Sequence, residues 1–154
     1  MPSDISLEDL FEELNSISLR FLSYKPRTEY EVSQRLSKEL LKETSLSSGE
    51  KEGLIERVLH HLRGLNLIDD LEYANSYIEE QKKKSVPKGP QYIRQFLRKK
   101  GIPKEMIEKS LIITYSAEDE ADSIQKVLKK RSKQDPAKMI AYLRQRGFSY
   151  NVIN

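Results

Sequence analysis

One pattern constrains this chain more than any other: it repeats itself. Ile93, Leu97, Gly101 and Ile102 return as Met139, Leu143, Gly147 and Phe148, 46 residues later. Pro103, Met106 and Ile107 fall on Ser149, Val152 and Ile153 at the same offset. Lys82-Lys83-Lys84-Ser85 falls on Lys129-Lys130-Arg131-Ser132 at an offset of 47, and Val32 and Leu36 precede Ile93 and Leu97 by 61. A longer loop at 42–48 absorbs that last difference. Self-similarity at such a period marks stacked helical units, each with too little apolar face to be stable alone. The expected fold is therefore all-α: three tandem three-helix repeats forming an elongated, curved solenoid-like body, with the last helix truncated. The expected divisions are an N-terminal helix extension at 1–13, repeat one at 14–68, repeat two at 69–115 and an incomplete repeat three at 116–154.

Apolar spacing and caps place the helices. Leu7, Leu10, Phe11, Leu14, Ile17, Phe21 and Leu22 recur at steps of three and four behind Ser6, which has Asp9 three residues on. Lys25-Pro26 ends that helix, because a residue before proline is pushed out of the helical region. Thr28 with Glu31 opens a second helix, whose stripe is Val32, Leu36, Leu40 and Leu41. A third carries Leu54, Ile55, Val58, Leu59 and Leu62 and ends near Gly64; Asp69 or Asp70 caps a fourth, with Tyr73, Ala74, Tyr77 and Ile78 inward. The fifth holds Ile93, Phe96 and Leu97 and stops at Gly101, a glycine suited to the left-handed turn after a helix. Pro103 suits the first position of the sixth, with Met106, Ile107, Leu111 and Ile112 inward. Ser116 with Asp119 opens the seventh, Asp135-Pro136 the eighth, which closes at Gly147, and Ser149 a ninth of which five residues remain. That last piece is expected to be mobile, since so short a helix has almost no intrinsic stability. No segment alternates apolar and polar residues in the manner of a strand.

The inventory of reactive groups is short. Cysteine is absent, which excludes a disulfide framework, a thiol nucleophile and thiolate metal sites. There is no phosphate-cradling GxxxxGK[ST] loop, no GxGxxG after a strand and no HExxH pair. His60 and His61 are adjacent, about 100° apart on a helix, and poorly placed to share a metal. Asp69-Asp70 and Asp119-Glu120 resemble acid/base pairs, but each stands at a helix start, where capping explains it. The expectation is a protein that is not an enzyme and needs no cofactor or metal. No run of apolar residues reaches membrane-spanning length and the first residues lack a signal-peptide pattern, so the expected setting is soluble and cytoplasmic, without a membrane partner.

Charge is where the sequence speaks about partners. Residues 82–109 carry ten basic and two acidic groups, and residues 126–154 eight basic and one acidic, with acidic stretches before each. One block is Lys82, Lys83, Lys84, Lys88, Arg94, Arg98, Lys99 and Lys100; it recurs as Lys129, Lys130, Arg131, Lys133, Lys138, Arg144 and Arg146. Lysine-rich helix ends also serve solubility and the helix dipole. Repetition, however, puts these charges on equivalent surfaces, a stripe suited to a phosphate backbone or an acidic protein groove. Arg94, Arg98, Lys99, Arg144 and Arg146 lie off the apolar stripes and are expected to be exposed. Tyr92, Tyr142 and Tyr150 are placed either to stack on bases or to pack half-buried.

Four segments, in order, resemble the RecX family of recombination regulators. Lys25-Pro26-Arg27-Thr28-Glu29-Tyr30-Glu31-Val32 is similar to the family's RPRSEYEL-type start. Residues 64–74, Gly-Leu-Asn-Leu-Ile-Asp-Asp-Leu-Glu-Tyr-Ala, resemble its GLLDDxxFA segment. Residues 89–102, from Gly89-Pro90 through Ile93-Arg94 to Lys100-Gly101-Ile102, resemble GPxxIRxxLxxKGI, and Arg146-Gly147-Phe148-Ser149-Tyr150 with Ile153 resembles the RGFSYxxI ending. The likeness covers roughly residues 14–154. It departs at Ser47-Ser48-Gly49, where relatives more often have a KGF turn, and in the short last helix. The resemblance implies a regulator that binds the RecA recombinase filament on single-stranded DNA, lies in its groove and lowers its ATPase, strand-exchange and co-protease activities in DNA repair and the SOS response. The basic residues of the second and third repeats are assigned to that contact, whether to RecA acids or to DNA phosphate, and the chain is expected to be a monomer with a weak direct DNA contact also open. A sequence-tolerant nucleic-acid-binding helical module with no recombinase partner, or a purely structural helical adaptor, stays open on the residues alone.

Overall fold

The computed structural model describes residues 6–131 and 135–149, which form eight α-helices with no strand among them. They are α1 Leu7–Tyr24, α2 Glu29–Glu39, α3 Ser48–Gly64, α4 Asp70–Lys83, α5 Pro90–Lys99, α6 Lys104–Thr114, α7 Ala117–Lys130 and α8 Pro136–Gln145, with a 3-10 turn at Leu40–Lys42. The fold is all-α, and the repeat is visible in its boundaries. Helices α5 and α8 start and stop 46 residues apart, and α4 and α7 end 47 apart. Both α5 and α8 close the same way: Gly101 and Gly147 take φ of 83° and 92°. Ile102 N–H then donates to Leu97 O and Phe148 N–H to Leu143 O, each at 3.1 Å. That pairing satisfies carbonyls a helix end otherwise leaves open.

The starts follow their caps. Ser6 Oγ accepts from Asp9 N at 3.1 Å. Thr28 with Glu31, Ser47 with Glu50 and Ser116 with Asp119 form reciprocal capping boxes at α2, α3 and α7. Pro90 and Pro136 occupy the first position of their helices. The third helix ends at Gly64 as expected, and the left-handed residue beyond it is Asn66, φ 58°. Three other local expectations need correction. Pro103 precedes α6 as its cap instead of opening it. Leu41 is 72% exposed because the 3-10 turn rotates it off the α-helical stripe. Ile112 is 84% exposed because its neighbour Leu111 faces the core, and adjacent helix residues diverge by about 100°. The expected ninth helix beyond Ser149, with its expected mobility, lies outside the described residues.

The chain divides into two compact units, Met1–Asp70 and Leu71–Asn154. In the first, α1, α2 and α3 close over Leu10, Leu14, Val32, Leu36, Val58 and Leu62. Full burial of such side chains stabilises by about 1.5–3 kcal/mol each. The buried carboxylate of Asp70 accepts from Glu29 N at 2.9 Å and ties the last turn of the unit to the start of α2.

The second unit holds two apolar clusters. Ala74, Ile78, Ile93, Leu97, Ile102 and Ile107 form one, with Tyr77 stacked on Phe96 at 4.2 Å. Ile124, Val127, Leu143 and Phe148 form the other, and Val86 packs on it. Where the loop before α5 meets the turn after α8, backbone touches backbone. Gly89 N donates to Arg146 O and Gln91 N to Gly147 O, both at 2.8 Å. An ideal Cβ on Gly89 would stand 2.6 Å from the Gly147 carbonyl, and one on Gly147 2.4 Å from Tyr92 N. Neither position has room for any side chain. This joint fixes the start of α5 against the end of α8.

Candidate interaction surface

The basic residues singled out in the sequence fall into two groups once their neighbours are known. The first group is committed inside the second unit. Lys82 Nζ, about a quarter exposed, donates to Thr114 O at 2.8 Å and pairs with Glu79 at 3.2 Å and Asp119 at 3.3 Å. Arg94 sends Nε to Glu108 at 2.7 Å and Nη2 to the same carboxylate at 3.3 Å, a two-toothed grip between α5 and α6. Arg146 donates to Val86 O and to Pro87 O at 3.1 Å, clamping the loop that precedes α5. Lys88 lies 4.7 Å over the Tyr92 ring, Lys100 5.5 Å over Phe96 and Arg131 3.7 Å over Tyr142. The expectation that Arg94 and Arg146 stand exposed is thus corrected: both are half-buried and bridge elements. The tyrosines Tyr92 and Tyr142 are half-buried too, each with a cation on its face.

The second group faces solvent. Lys83 ends α4 and Lys84 follows it, Arg98 and Lys99 end α5, and Lys129 and Lys130 end α7, all exposed. Arg144, in the last turn of α8, is exposed as well. Each set sits at a helix C-terminus, where the carbonyl dipoles favour cations. Lys133 and Tyr150 lie outside the described residues.

Electrostatics separate the groups again. Burial by itself pushes the Lys82 ammonium down, but the carboxylates of Glu79 and Asp119 outweigh it and hold its pKa above the ordinary lysine value. Asp119 is held below the usual aspartate range, first by the Ser116 backbone N–H and further by Lys82. Tyr142 is lowered, first by its bond from Arg131 and then by Arg146. The acids that look catalytic in the sequence have structural partners instead. Asp119 belongs to the α7 capping box, Asp70 accepts from Glu29 N, and buried Glu120 accepts from Ser149 N at 2.7 Å. Among the described residues no cluster of three histidine, aspartate or glutamate side chains is arranged to hold a metal. Among them, too, no helix is long and apolar enough to cross a membrane. The sequence missed Gln81 and Glu120 as positioning residues. Their burial in otherwise polar stretches comes from chain segments seven and 29 residues away, whose N–H groups they receive.

Comparison with known proteins places this arrangement. The family model described as the second three-helix domain of RecX matches residues 69–111, the span of α4, α5 and most of α6. A regulatory protein RecX from a Geobacillus species is 38% identical over 117 residues, 76% of this chain and 39% of that protein. One from Lactococcus lactis subsp. cremoris is 34% identical over 158 residues, 97% of this chain and 55% of that protein. The chain spans about half the length of the curated relatives it matches. A crystal structure of regulatory protein RecX shares 32% identity and superposes with a TM-score of 0.74, covering 95% of this chain and 70% of that one. The structure of RecX from Lactobacillus salivarius gives 28% identity and a TM-score of 0.70, covering 95% and 93%. With 32% identity to the first of these structures, over 95% of its own length and 70% of that solved chain, this chain belongs to the RecX family.

Proposed function

We propose that the chain regulates the RecA recombinase, binding its filament on single-stranded DNA in the groove and lowering its ATPase, strand-exchange and co-protease activities. It acts in the cytoplasm as a monomer and not as an enzyme. The observation that carries this reading is the set of exposed cations at the C-terminal ends of α4, α5 and α7, Lys83, Lys84, Arg98, Lys99, Lys129 and Lys130, on a chain of this family. The functional divisions are the three-helix repeats 14–68, 69–115 and 116–154, with the contact on the second and third. Arg94, Arg146 and Lys82 support that surface from within. Lys88, Lys100 and Arg131 support it through their aromatic neighbours, Arg144 adds to it, and Lys133, outside the described residues, is proposed as a further contact.

The sequence holds no nucleotide-binding loop, so an effect on ATP hydrolysis arises by binding: a ligand shifts a filament between states only by its differential affinity for them. Exposed cations facing an opposite surface speed encounter and fix register. The test is one titration against RecA filament, free RecA and bare DNA at two salt concentrations. Tight binding to the filament with weak binding to bare DNA supports the proposal. Equal binding to bare DNA, collapsing steeply with salt, replaces it with a nucleic-acid-binding module.

A further inference from the structure

The first unit carries a feature that the RecA reading does not use. Between α1 and α2 lies a pocket of about 250 Å3, walled by Ile17, Arg20, Phe21 and Tyr24 from α1 and Arg35 from α2. Two arginines thus line a small concavity beside the apolar and aromatic side chains of Ile17, Phe21 and Tyr24. Among the described residues no carboxylate lines it. Arg20 is exposed and has no side-chain partner among the described residues. Arg35 reaches Glu39 only at 3.4 Å, while Lys42 holds that same carboxylate at 2.7 Å. The Phe21 wall also carries a cation, the Arg27 guanidinium lying 4.0 Å over its ring. Tyr24, at the end of α1, is 83% exposed.

We propose that this pocket takes a carboxylate on an apolar or aromatic stem, an acidic side chain beside a hydrophobic one on a protein partner. The guanidinium fork matches a carboxylate in two-point geometry, and tyrosine and arginine are the side chains that anchor protein interfaces. The size admits a side chain and little more. The surroundings choose protein over nucleic acid. Residues 1–70 carry fourteen acidic and nine basic side chains, against ten and eighteen in residues 71–154. An acidic unit repels a polyanion along its length, yet a single carboxylate seated between two arginines feels mostly those arginines within the screening distance.

The proposal does not depend on RecA, so its test contains none. The full chain, labelled for amide resonances, is titrated with acetyl-Glu-Phe-Glu-amide. The same is done with acetyl-Gln-Phe-Gln-amide, inorganic phosphate and an eight-nucleotide oligothymidylate. Shifts from the acidic peptide are expected at residues 17–24 and 35, and Arg20→Gln with Arg35→Gln should weaken that binding at least tenfold with helicity unchanged. The proposal is overturned if the neutral peptide shifts these amides equally, or if the double variant binds as well as the parent. It is also overturned if phosphate or oligothymidylate occupies the pocket more tightly than the acidic peptide.

Discussion

Gly147 combines two demands that one substitution exposes. Its φ of 92° lies in the left-handed region, which costs an ordinary residue about 1–2 kcal/mol, and its missing Cβ makes room for Tyr92 N. Gly147→Ala should therefore destabilise the chain by about 2 kcal/mol or more, read as a lowered denaturation midpoint. Gly89→Ala should do similar damage through contact alone, since its φ of −90° is ordinary. Gly53, inside α3 with nothing within 4 Å of a Cβ, is the control: alanine there should stabilise by about 0.5–1 kcal/mol. Two aspartates make a pH prediction at the same scale. The folded pKa of Asp119 is lowered, so its stabilisation is present above the ordinary value, about 4, and is lost as pH falls through the folded one. Asp70 runs the other way. Burial raises its pKa first of all, with Glu29 and Asp69 adding to that and the Glu29 N–H and Arg63 opposing it. Its ionisation as pH rises through the folded value thus opposes folding. Asp119→Asn should flatten the acid limb of a stability curve. Asp70→Asn, which keeps the acceptor oxygen, should leave stability at pH 7 equal or higher.

At the level of whole elements, Lys82 shows what a cation does when it is built in. It joins the end of α4 to the last carbonyl region of α6 and the first turn of α7, and Lys126 Nζ returns to the Lys82 carbonyl at 2.6 Å. Lys82→Ala should lower stability by about 1–2 kcal/mol, whereas Lys99→Ala, on the exposed end of α5, should stay within about 0.5 kcal/mol. Thermal melts of the two variants decide this. The contrast also explains how far the sequence could be read. Helix starts were legible because Thr28 and Glu31, or Ser116 and Asp119, meet their partners three residues away. The repeat was legible because Ile93 and Leu97 occupy the same buried positions as Val32 and Leu36, all fully covered. The roles of Arg94 and Arg146 were not, because Glu108 lies 14 residues away and Val86 and Pro87 about sixty. Periodicity reports which side of a helix is apolar, and is silent about which polar group a distant segment brings to its edge.

Over the whole molecule, charge is divided: the residues to 70 are net acidic and those beyond are net basic. The reversal that tests the RecA proposal must use charges the fold does not need. Arg98→Glu, Lys99→Glu, Lys129→Glu and Lys130→Glu together should raise the concentration needed to restrain RecA ATPase more than tenfold, with helicity and melting nearly unchanged. Asp9→Lys with Glu12→Lys, on the exposed face of α1, should leave restraint intact. If the fourfold reversal restrains RecA as well as the parent, the contact lies elsewhere. Reversing Arg94 or Arg146 would instead release α6 or the loop before α5, and could not report on binding. The Gly89–Gly147 joint has a mechanical side as well. Two amide rungs at 2.8 Å and the Arg146 clamp lie side by side across one seam. A pull along that seam loads them together, as in a pair of strands sheared lengthwise. Gly89 and Gly147 have no side chains to take up strain, and the Arg146 guanidinium is the long side chain that spans the seam beside them. Short parallel bonds loaded together are expected to give way together, which makes this seam a brittle joint rather than a yielding one.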